Sequence, residues 1–130
     1  MKQEKSKISV LMSVYKKENP EYLRASLESI LVQTRTADEI LLIEDGPLTQ
    51  ELYQVVAEYQ KKCDYLHVHA MEQNVQLGRA LAKGVELCQY DLIARMDTDD
   101  IAMPHRLEKE GAYMEAHPEV DVVRWCYPGI

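Results

Sequence analysis

The stretch Asp91-Leu92-Ile93-Ala94-Arg95-Met96-Asp97-Thr98-Asp99-Asp100 is the most informative in the chain, because an apolar run ends abruptly in three carboxylates. An apolar run that stops in this way predicts a buried strand with the acids at its carboxyl end. In open parallel α/β sheets, ligands bind in the crevice outside those ends. The stretch therefore predicts a strand of a parallel sheet with a ligand site beside it.

The acids at the end of this stretch have the chemistry of a cation site. Asp97 and Asp99 can turn toward a common point once the chain leaves the strand. Carboxylate oxygens with no thiol or imidazole nearby favour a hard cation, magnesium or manganese, over zinc. A solvated acidic turn is the alternative, since Asp favours turns and helix caps. The local pattern leaves these two interpretations open.

Composition narrows the class of protein. A length of 130 residues suits one domain, and a net charge of −7 argues against nucleic acid as a partner. The cysteines, Cys63, Cys88 and Cys126, are far apart and form no Cys-x-x-Cys pair. That spacing predicts structural thiols in a reducing compartment. We therefore expect a cytoplasmic location, with the cytoplasmic face of a membrane as a compatible one, and leave the oligomeric state open.

Apolar periodicity predicts strands that alternate with helices along the whole chain. Strands are expected at residues 8–15, 39–44, 65–69, 91–96 and 120–123, and helices at 20–33, 52–62, 77–88 and 104–116, the last ended by His117-Pro118. This alternation indicates an α/β fold, a Rossmann-like and mostly parallel sheet with helices on both faces. If the winding direction reverses, the first and fourth strands become neighbours. Tyr15 and Asp97 would then line one crevice, with Asp45 at its flank.

In their order and spacing, these segments resemble the N-terminal, nucleotide-sugar-binding half of the inverting family 2 glycosyltransferases, which have the GT-A fold. Ile8–Tyr15 resembles the first strand of that family, and Asn19–Thr34 resembles its first helix. Glu39–Gly46 is similar to the strand that carries a nucleotide-contacting Asp, and Ile93–Ile101 to the Asp-x-Asp region. The likeness covers roughly residues 8–123 and implies a GT-A type fold, N-terminal part only.

The resemblance implies a nucleobase site at the ends of the first two strands. Ser13, Val14 and Tyr15 would frame the base. Asp45 would accept a hydrogen bond from the edge of a uracil-type base.

The resemblance also implies a phosphate and metal site after the fourth strand. Asp99, together with Asp97, would ligate a divalent cation, manganese or magnesium, that bridges the two phosphates. Asp97 would alternatively contact the ribose or the water shell of the metal, Thr98 would lie in the nucleotide site, and Asp100 is a weaker ligand candidate. Arg79 could help to neutralise the phosphates, although an exposed helix arginine is the favoured interpretation.

By this resemblance the protein is a glycosyltransferase that moves a sugar from a nucleotide-diphosphate donor, a UDP-sugar, to a glycan or lipid-linked acceptor. The reaction would be metal-dependent and inverting and would belong to polysaccharide or cell-envelope glycan synthesis. The chemistry is consistent, because negative charge builds on the departing diphosphate and a cation there acts as a Lewis acid.

Some features depart from the family pattern. Gln76 stands where the family often has Gly, and Ala82 stands where it has Asn.

The catalytic base of the family is an acid in the acceptor half, and no residue here matches it, so we expect no catalytic residue in this chain. We expect a flexible N-terminus at 1–7, the nucleotide-sugar-binding domain at 8–123, and a tail at 124–130 that stops before the acceptor domain.

A non-catalytic magnesium-binding domain of receiver type is the alternative from a different class. A receiver needs an acid pair after its first strand and a phosphorylatable Asp after its third. Here the first strand ends Ser13-Val14-Tyr15, and the third ends near His69-Ala70 without an Asp. The sequence therefore argues against a receiver, whereas a nucleotide-binding remnant without chemistry stays open.

Several other polar side chains are interpreted as structural. Glu44 is expected to face solvent at the end of its strand, and Glu108 and Glu110 are expected on a solvated helix face. His67 and His69 share one face of a strand but lack the neighbouring acid that metal-bound histidines use.

Overall fold

A computed structural model describes residues 7–117 and the backbone of residues 122–124. In chain order its elements are β1 (Ile8–Val14), α1 (Pro20–Leu31), β2 (Glu39–Glu44), α2 (Gln50–Lys62), β3 (Leu66–Ala70), α3 (Leu77–Leu87), β4 (Leu92–Arg95), α4 (Arg106–Ala116) and β5 (Val122–Arg124). The N-terminal segment before Lys7 and the tail after Arg124 lie outside the described residues. The boundaries expected there stay predictions.

The strands form one sheet in the order β3-β2-β1-β4-β5, and every described pair is parallel. β1 lies between β2 and β4, with Val14 opposite Glu44 and Leu11 opposite Arg95. The chain therefore winds outward to β3, returns, and continues on the other side of β1. The predicted Rossmann-like α/β fold is confirmed, and its switch point lies between β1 and β4, where such sheets bind ligands.

Helices cover both faces of this sheet, as the alternation of strands and helices predicts. Successive strand side chains point to opposite faces, so β1 sends Met12 to one side and Leu11 to the other. The Met12 side forms a large hydrophobic cluster with α1, α2 and Leu107 of α4. The Leu11 side forms a smaller cluster under α3, whose buried residues are the small Ala80 and Gly84.

The helix boundaries follow mostly from local signals. α1 begins after Asn19, whose side chain accepts a hydrogen bond from the Glu21 N–H at 2.8 Å. It ends at Leu31, short of the predicted Gln33. The Gln33 side chain is used elsewhere, because its Nε2 donates to the Met103 carbonyl at 2.6 Å and its Oε1 accepts from the Leu107 N–H at 2.9 Å. These bonds tie the end of α1 to the start of α4.

α4 differs from the sequence prediction at its start and on one face. It begins at Arg106, because Pro104 and His105 form a turn, although it ends before His117 as expected. The expected solvated position of Glu110 is wrong, since this side chain is 0% exposed and pairs with the Arg106 Nε at 3.0 Å. Burial raises the pKa of Glu110 to about 7, against the opposing effect of Arg106. Glu108, in contrast, is exposed.

Glu44 also differs from its predicted position. It is buried, and burial raises its pKa. β2 lies between β1 and β3, so its last residue is flanked by a strand on each side. The loop after β3 also contacts it, because the Glu44 carbonyl accepts the Met71 N–H at 2.9 Å.

No helix within the described ranges has the length and apolar character needed to cross a membrane.

Candidate functional site

A cleft of about 490 Å³ opens at the carboxyl ends of the strands, in the size range of ligand sites. It is built by the loops that follow β1, β2, β3 and β4, because parallel strands bring these loops to one edge of the sheet. Its lining residues are Ser13, Tyr15, Glu18, Asp45, Asn74, Gln76, Leu77, Asp97, Thr98 and Asp99.

Most of the predicted site residues meet in this cleft. Ser13, Tyr15, Asp45, Asp97, Thr98 and Asp99 all line it. Val14 does not, because its side chain is 1% exposed and belongs to the large hydrophobic cluster. Arg79 does not line the cleft either; it is an exposed residue in the first turn of α3. The cleft therefore joins residues that are up to 86 positions apart, from Ser13 to Asp99.

The acids after β4 form a compact group. One carboxylate oxygen from each of Asp97, Asp99 and Asp100 lies within 4.8 Å of the others. Asp97 and Asp99 are exposed, and Asp100 is half-buried. The pKa of Asp100 is raised, first by burial and then by the charges of Asp99 and Asp97. Two exposed carboxylates beside an open cleft fit magnesium or manganese, which combine one or two carboxylates with water and substrate phosphate.

Contacts from neighbouring elements position the loop that carries these acids. The Asp97 carbonyl accepts the Ser26 hydroxyl of α1 at 3.3 Å and the Asp100 N–H at 3.2 Å. The Arg95 Nη2 lies 3.5 Å from the Asp97 Oδ1. The Thr98 hydroxyl donates to the Glu18 Oε2 at 2.6 Å, which joins the loop after β4 to the loop after β1.

Glu18 is a lining residue that sequence reasoning missed. It follows Lys16 and Lys17, and such a run of charges indicates an ordinary solvent loop. Its bond to Thr98 spans 80 positions and exists because β1 and β4 are neighbours in the sheet. No local signal marks such a contact.

The other side of the cleft is a wall in which the loops after β2 and β3 touch. Asp45 is 4% exposed, and its Oδ1 accepts the Val75 N–H at 2.7 Å. Gly46 has a φ of +87°, and a Cβ at this position would lie 2.6 Å from the backbone N of Asn74. Only glycine fits both the backbone angle and the space. Asp45 and Gly46 therefore hold the loop after β3 against the end of β2.

The loop after β3 contributes Asn74 and Gln76 to the cleft, and the first residue of α3 contributes Leu77; none of them is among the predicted site residues. Asn74 Oδ1 accepts the Gln76 N–H at 3.1 Å. Gln76 has a φ of +75° and a ψ of 159°, a region used almost only by glycine, and other residues there cost about 1–3 kcal/mol. The signal that could have found this loop is the family pattern, in which a Gly often follows the Asn by two residues.

A doubly wound parallel sheet with an acid-lined cleft at its switch point defines the class of protein as a Rossmann-like α/β domain with a ligand cleft at its switch point. The comparison with protein families is more specific. The chain belongs to glycosyl transferase family 2, whose family model matches residues 9–129. The predicted family is therefore confirmed, and the receiver alternative has no support.

Curated relatives share this part of the sequence. An uncharacterized glycosyltransferase of Haemophilus influenzae is 51% identical over 113 residues, which cover 87% of this chain and 42% of that protein. The amylovoran biosynthesis glycosyltransferase AmsE of Erwinia amylovora is 48% identical, covering 86% of this chain and 42% of that protein. The chain spans less than half the length of these relatives.

A relative with a named reaction is the UDP-Gal:alpha-D-GlcNAc-diphosphoundecaprenol beta-1,3-galactosyltransferase of Escherichia coli. It is 35% identical over 125 residues, which cover 95% of this chain and 44% of that protein.

Solved structures share the fold. The crystal structure of S. aureus TarS 1-349 in complex with UDP-GlcNAc has a TM-score of 0.73 and 23% sequence identity, covering 86% of this chain and 32% of that one. The same protein in complex with UDP has a TM-score of 0.72 and 24% identity. The GT-A type of fold is thereby confirmed.

Proposed function

We propose that this chain is the donor-binding part of a glycosyltransferase that uses a UDP-sugar and a divalent cation. The observation that carries the proposal is the cleft itself, which brings Tyr15, Asp45 and Asp99 together from three strand ends. The Escherichia coli relative named for UDP-Gal and the TarS structures with UDP and UDP-GlcNAc support uridine diphosphate as the nucleotide.

In this proposal the base lies on the side of the cleft nearest β2. Ser13 and Tyr15 frame it with their side chains, and Val14 contributes only backbone, since its side chain is in the core. Asp45 already uses its Oδ1 to hold the Val75 N–H. Its second oxygen accepts the ring N–H of a uracil-type base.

The diphosphate lies on the side of the cleft nearest β4. Asp99 and Asp97 hold the cation, Thr98 lies against the nucleotide, and the exposed Arg79 adds positive charge from outside the lining. When bound, the cation supplies Lewis-acid stabilisation of the departing diphosphate. The residues of this chain therefore orient the donor and hold its leaving group.

The acceptor and the stereochemistry are further parts of the proposal. The acceptor is a glycan or a lipid-linked sugar in envelope polysaccharide synthesis at the cytoplasmic face of a membrane. The names of the amylovoran and diphosphoundecaprenol relatives support this class. Inversion requires a general base opposite the leaving group, and we assign this role to the acceptor-binding half of the family and to no residue described in this chain.

Calorimetric titration of UDP with and without MnCl₂ tests the proposal. The wild-type chain is expected to bind UDP only with the cation. Asp99→Ala is expected to weaken that binding at least about tenfold, or about 1.4 kcal/mol, because it removes an exposed carboxylate of the acid group.

Asp91→Ala is the matched control, since it removes the same charge from an exposed position at the opposite end of β4. It is expected to bind UDP like the wild type, and circular dichroism of all three proteins establishes that they are folded. Equal binding by wild type and Asp99→Ala, or no binding by folded wild type, would contradict the proposal.

A further inference from the structure

Gln76 combines a strained backbone with an uncommitted side chain on the wall of the cleft. Its φ of +75° is the only positive value at a non-glycine residue within the described part of the chain. Within that part the carboxamide of Gln76 makes no hydrogen bond. Gln76 is the N-cap residue of α3, but its side chain does not bond to the helix N–H groups. Strain of this kind persists where the surrounding structure over-determines it, and such positions cluster at ligand sites.

The contacts of Val75 place Gln76 beside Asp45. The Val75 N–H donates to the Asp45 Oδ1 at 2.7 Å, and the Val75 side chain packs against the smaller hydrophobic cluster. Gln76, the next residue, lines the cleft instead. Asp45 and Gln76 therefore share one wall, and the acids Asp97 and Asp99 follow β4, on the other side of β1.

The amide side chains of this wall differ in what they can still bind. Asn74 Oδ1 already accepts the Gln76 N–H at 3.1 Å, which leaves mainly the Asn74 amide donors, whereas the Gln76 carboxamide keeps both its donors and its acceptor. Uracil presents carbonyl oxygens on both sides of its ring N–H. A base whose ring N–H meets Asp45 would offer one of those oxygens to an adjacent donor.

We propose that Gln76 is a specificity-determining residue, whose Nε2–H donates to a ring carbonyl of a pyrimidine base held against Asp45. The inference rests on the proposed function, because it takes the donor to be a nucleoside diphosphate sugar. It goes beyond that function by assigning the choice of base to a residue that departs from the family pattern of glycine.

The test compares UDP and ADP, which share the ribose diphosphate and differ in the base. Dissociation constants are measured with MnCl₂ by calorimetry or competition for wild type, Gln76→Ala and Gln76→Gly. Both variants are expected to weaken UDP binding about tenfold, the effect of one lost hydrogen bond, and to change ADP binding less than about twofold. Gln76→Gly also removes the backbone strain, so its loss of UDP affinity does not come from a distorted loop.

Gln73→Ala is the matched control, because Gln73 is an exposed glutamine of the same loop that is not part of the cleft lining. It is expected to leave both dissociation constants unchanged. Wild-type preference for UDP that survives in both Gln76 variants would overturn this inference alone. An equal loss of UDP and ADP binding would overturn it too, since the contact would then be to the shared ribose diphosphate. A folded wild-type chain that binds neither nucleotide would overturn the proposed function and this inference with it.

Discussion

Glu110 is a carboxylate that the fold buries completely, and this burial raises its pKa. It lies in α4, pairs with the Arg106 Nε at 3.0 Å, and is 0% exposed. Arg106 in turn donates to the Arg95 carbonyl at 3.3 Å. The pair thus connects α4 to the end of β4, where the acids of the cleft begin.

The raised pKa of Glu110 predicts a pH dependence of stability. Folding raises this pKa from 4.5 to about 7, so between these values the folded protein binds a proton that the unfolded chain has released. This contribution is fully present below pH 4.5 and is lost as the pH rises through 7. We expect Glu110→Gln to remove a loss of roughly 3 kcal/mol across this range, measured by urea denaturation at several pH values.

Glu108→Gln is the control for this prediction, because it changes the same charge two residues away at an exposed position. It is expected to leave the pH profile of stability unchanged. A wild-type profile that runs parallel to that of Glu110→Gln would contradict the assignment.

The turn between β2 and α2 shapes the wall of the cleft where the loops after β2 and β3 touch. Gly46→Ala would place a methyl group 2.6 Å from the Asn74 backbone N at a φ of +87°. We expect it to lower the free energy of unfolding by about 2 kcal/mol or more, since left-handed strain alone costs roughly 1–2 kcal/mol. Chemical denaturation at fixed pH measures this effect.

Gly78→Ala, in α3, is the control for Gly46→Ala, because it makes the same substitution where there is room for a methyl group. A Cβ at Gly78, in the first turn of α3, would meet nothing within 4 Å. It is expected to raise stability by about 0.5–1 kcal/mol, because alanine is the better helix former. If Gly46→Ala lowered the free energy of unfolding no more than Gly78→Ala does, the close contact between the loops after β2 and β3 would be contradicted.

The molecule as a whole has two hydrophobic clusters of unequal size, one on each face of the sheet. Adjacent residues of β2 pack into different clusters. Leu42 belongs to the large cluster under α1 and α2, and Ile43 belongs to the smaller one under α3. Both side chains are 0% exposed. Sequence alternation alone assigns them to opposite faces but does not rank the faces.

We expect Leu42→Ala to destabilise the protein by about 4 kcal/mol and Ile43→Ala by about 2 kcal/mol. The smaller cluster that contains Ile43 is packed against the partly buried loop residues Met71 and Val75, and we expect these to move toward the space that a smaller side chain leaves. Around Leu42 the helices close over the sheet and relax less. Equal losses in urea denaturation, or the reverse order, would contradict this ranking of the layers.

The local pattern of residues was sufficient for the elements and their order. Apolar runs such as Ile40–Ile43 predicted buried strands, and the Asn19-Pro20 pair predicted the start of α1, because both signals act between residues close in sequence. The reversal of winding, with β1 beside β4, followed as a conditional expectation from the same alternation and is confirmed.

The tertiary structure added contacts that the sequence did not predict. The bond from Thr98 to Glu18, the burial of Glu110 and the strained Gln76 beside Asp45 each depend on residues distant in sequence or on the path of a loop. Local propensity reports the preference of a residue for helix, strand or turn, and it carries no information on what a neighbouring strand brings to that position. The acids after β4 and Asp45 were therefore predictable from sequence, whereas the contribution of Glu18 and of the loop after β3 to the cleft depended on tertiary packing.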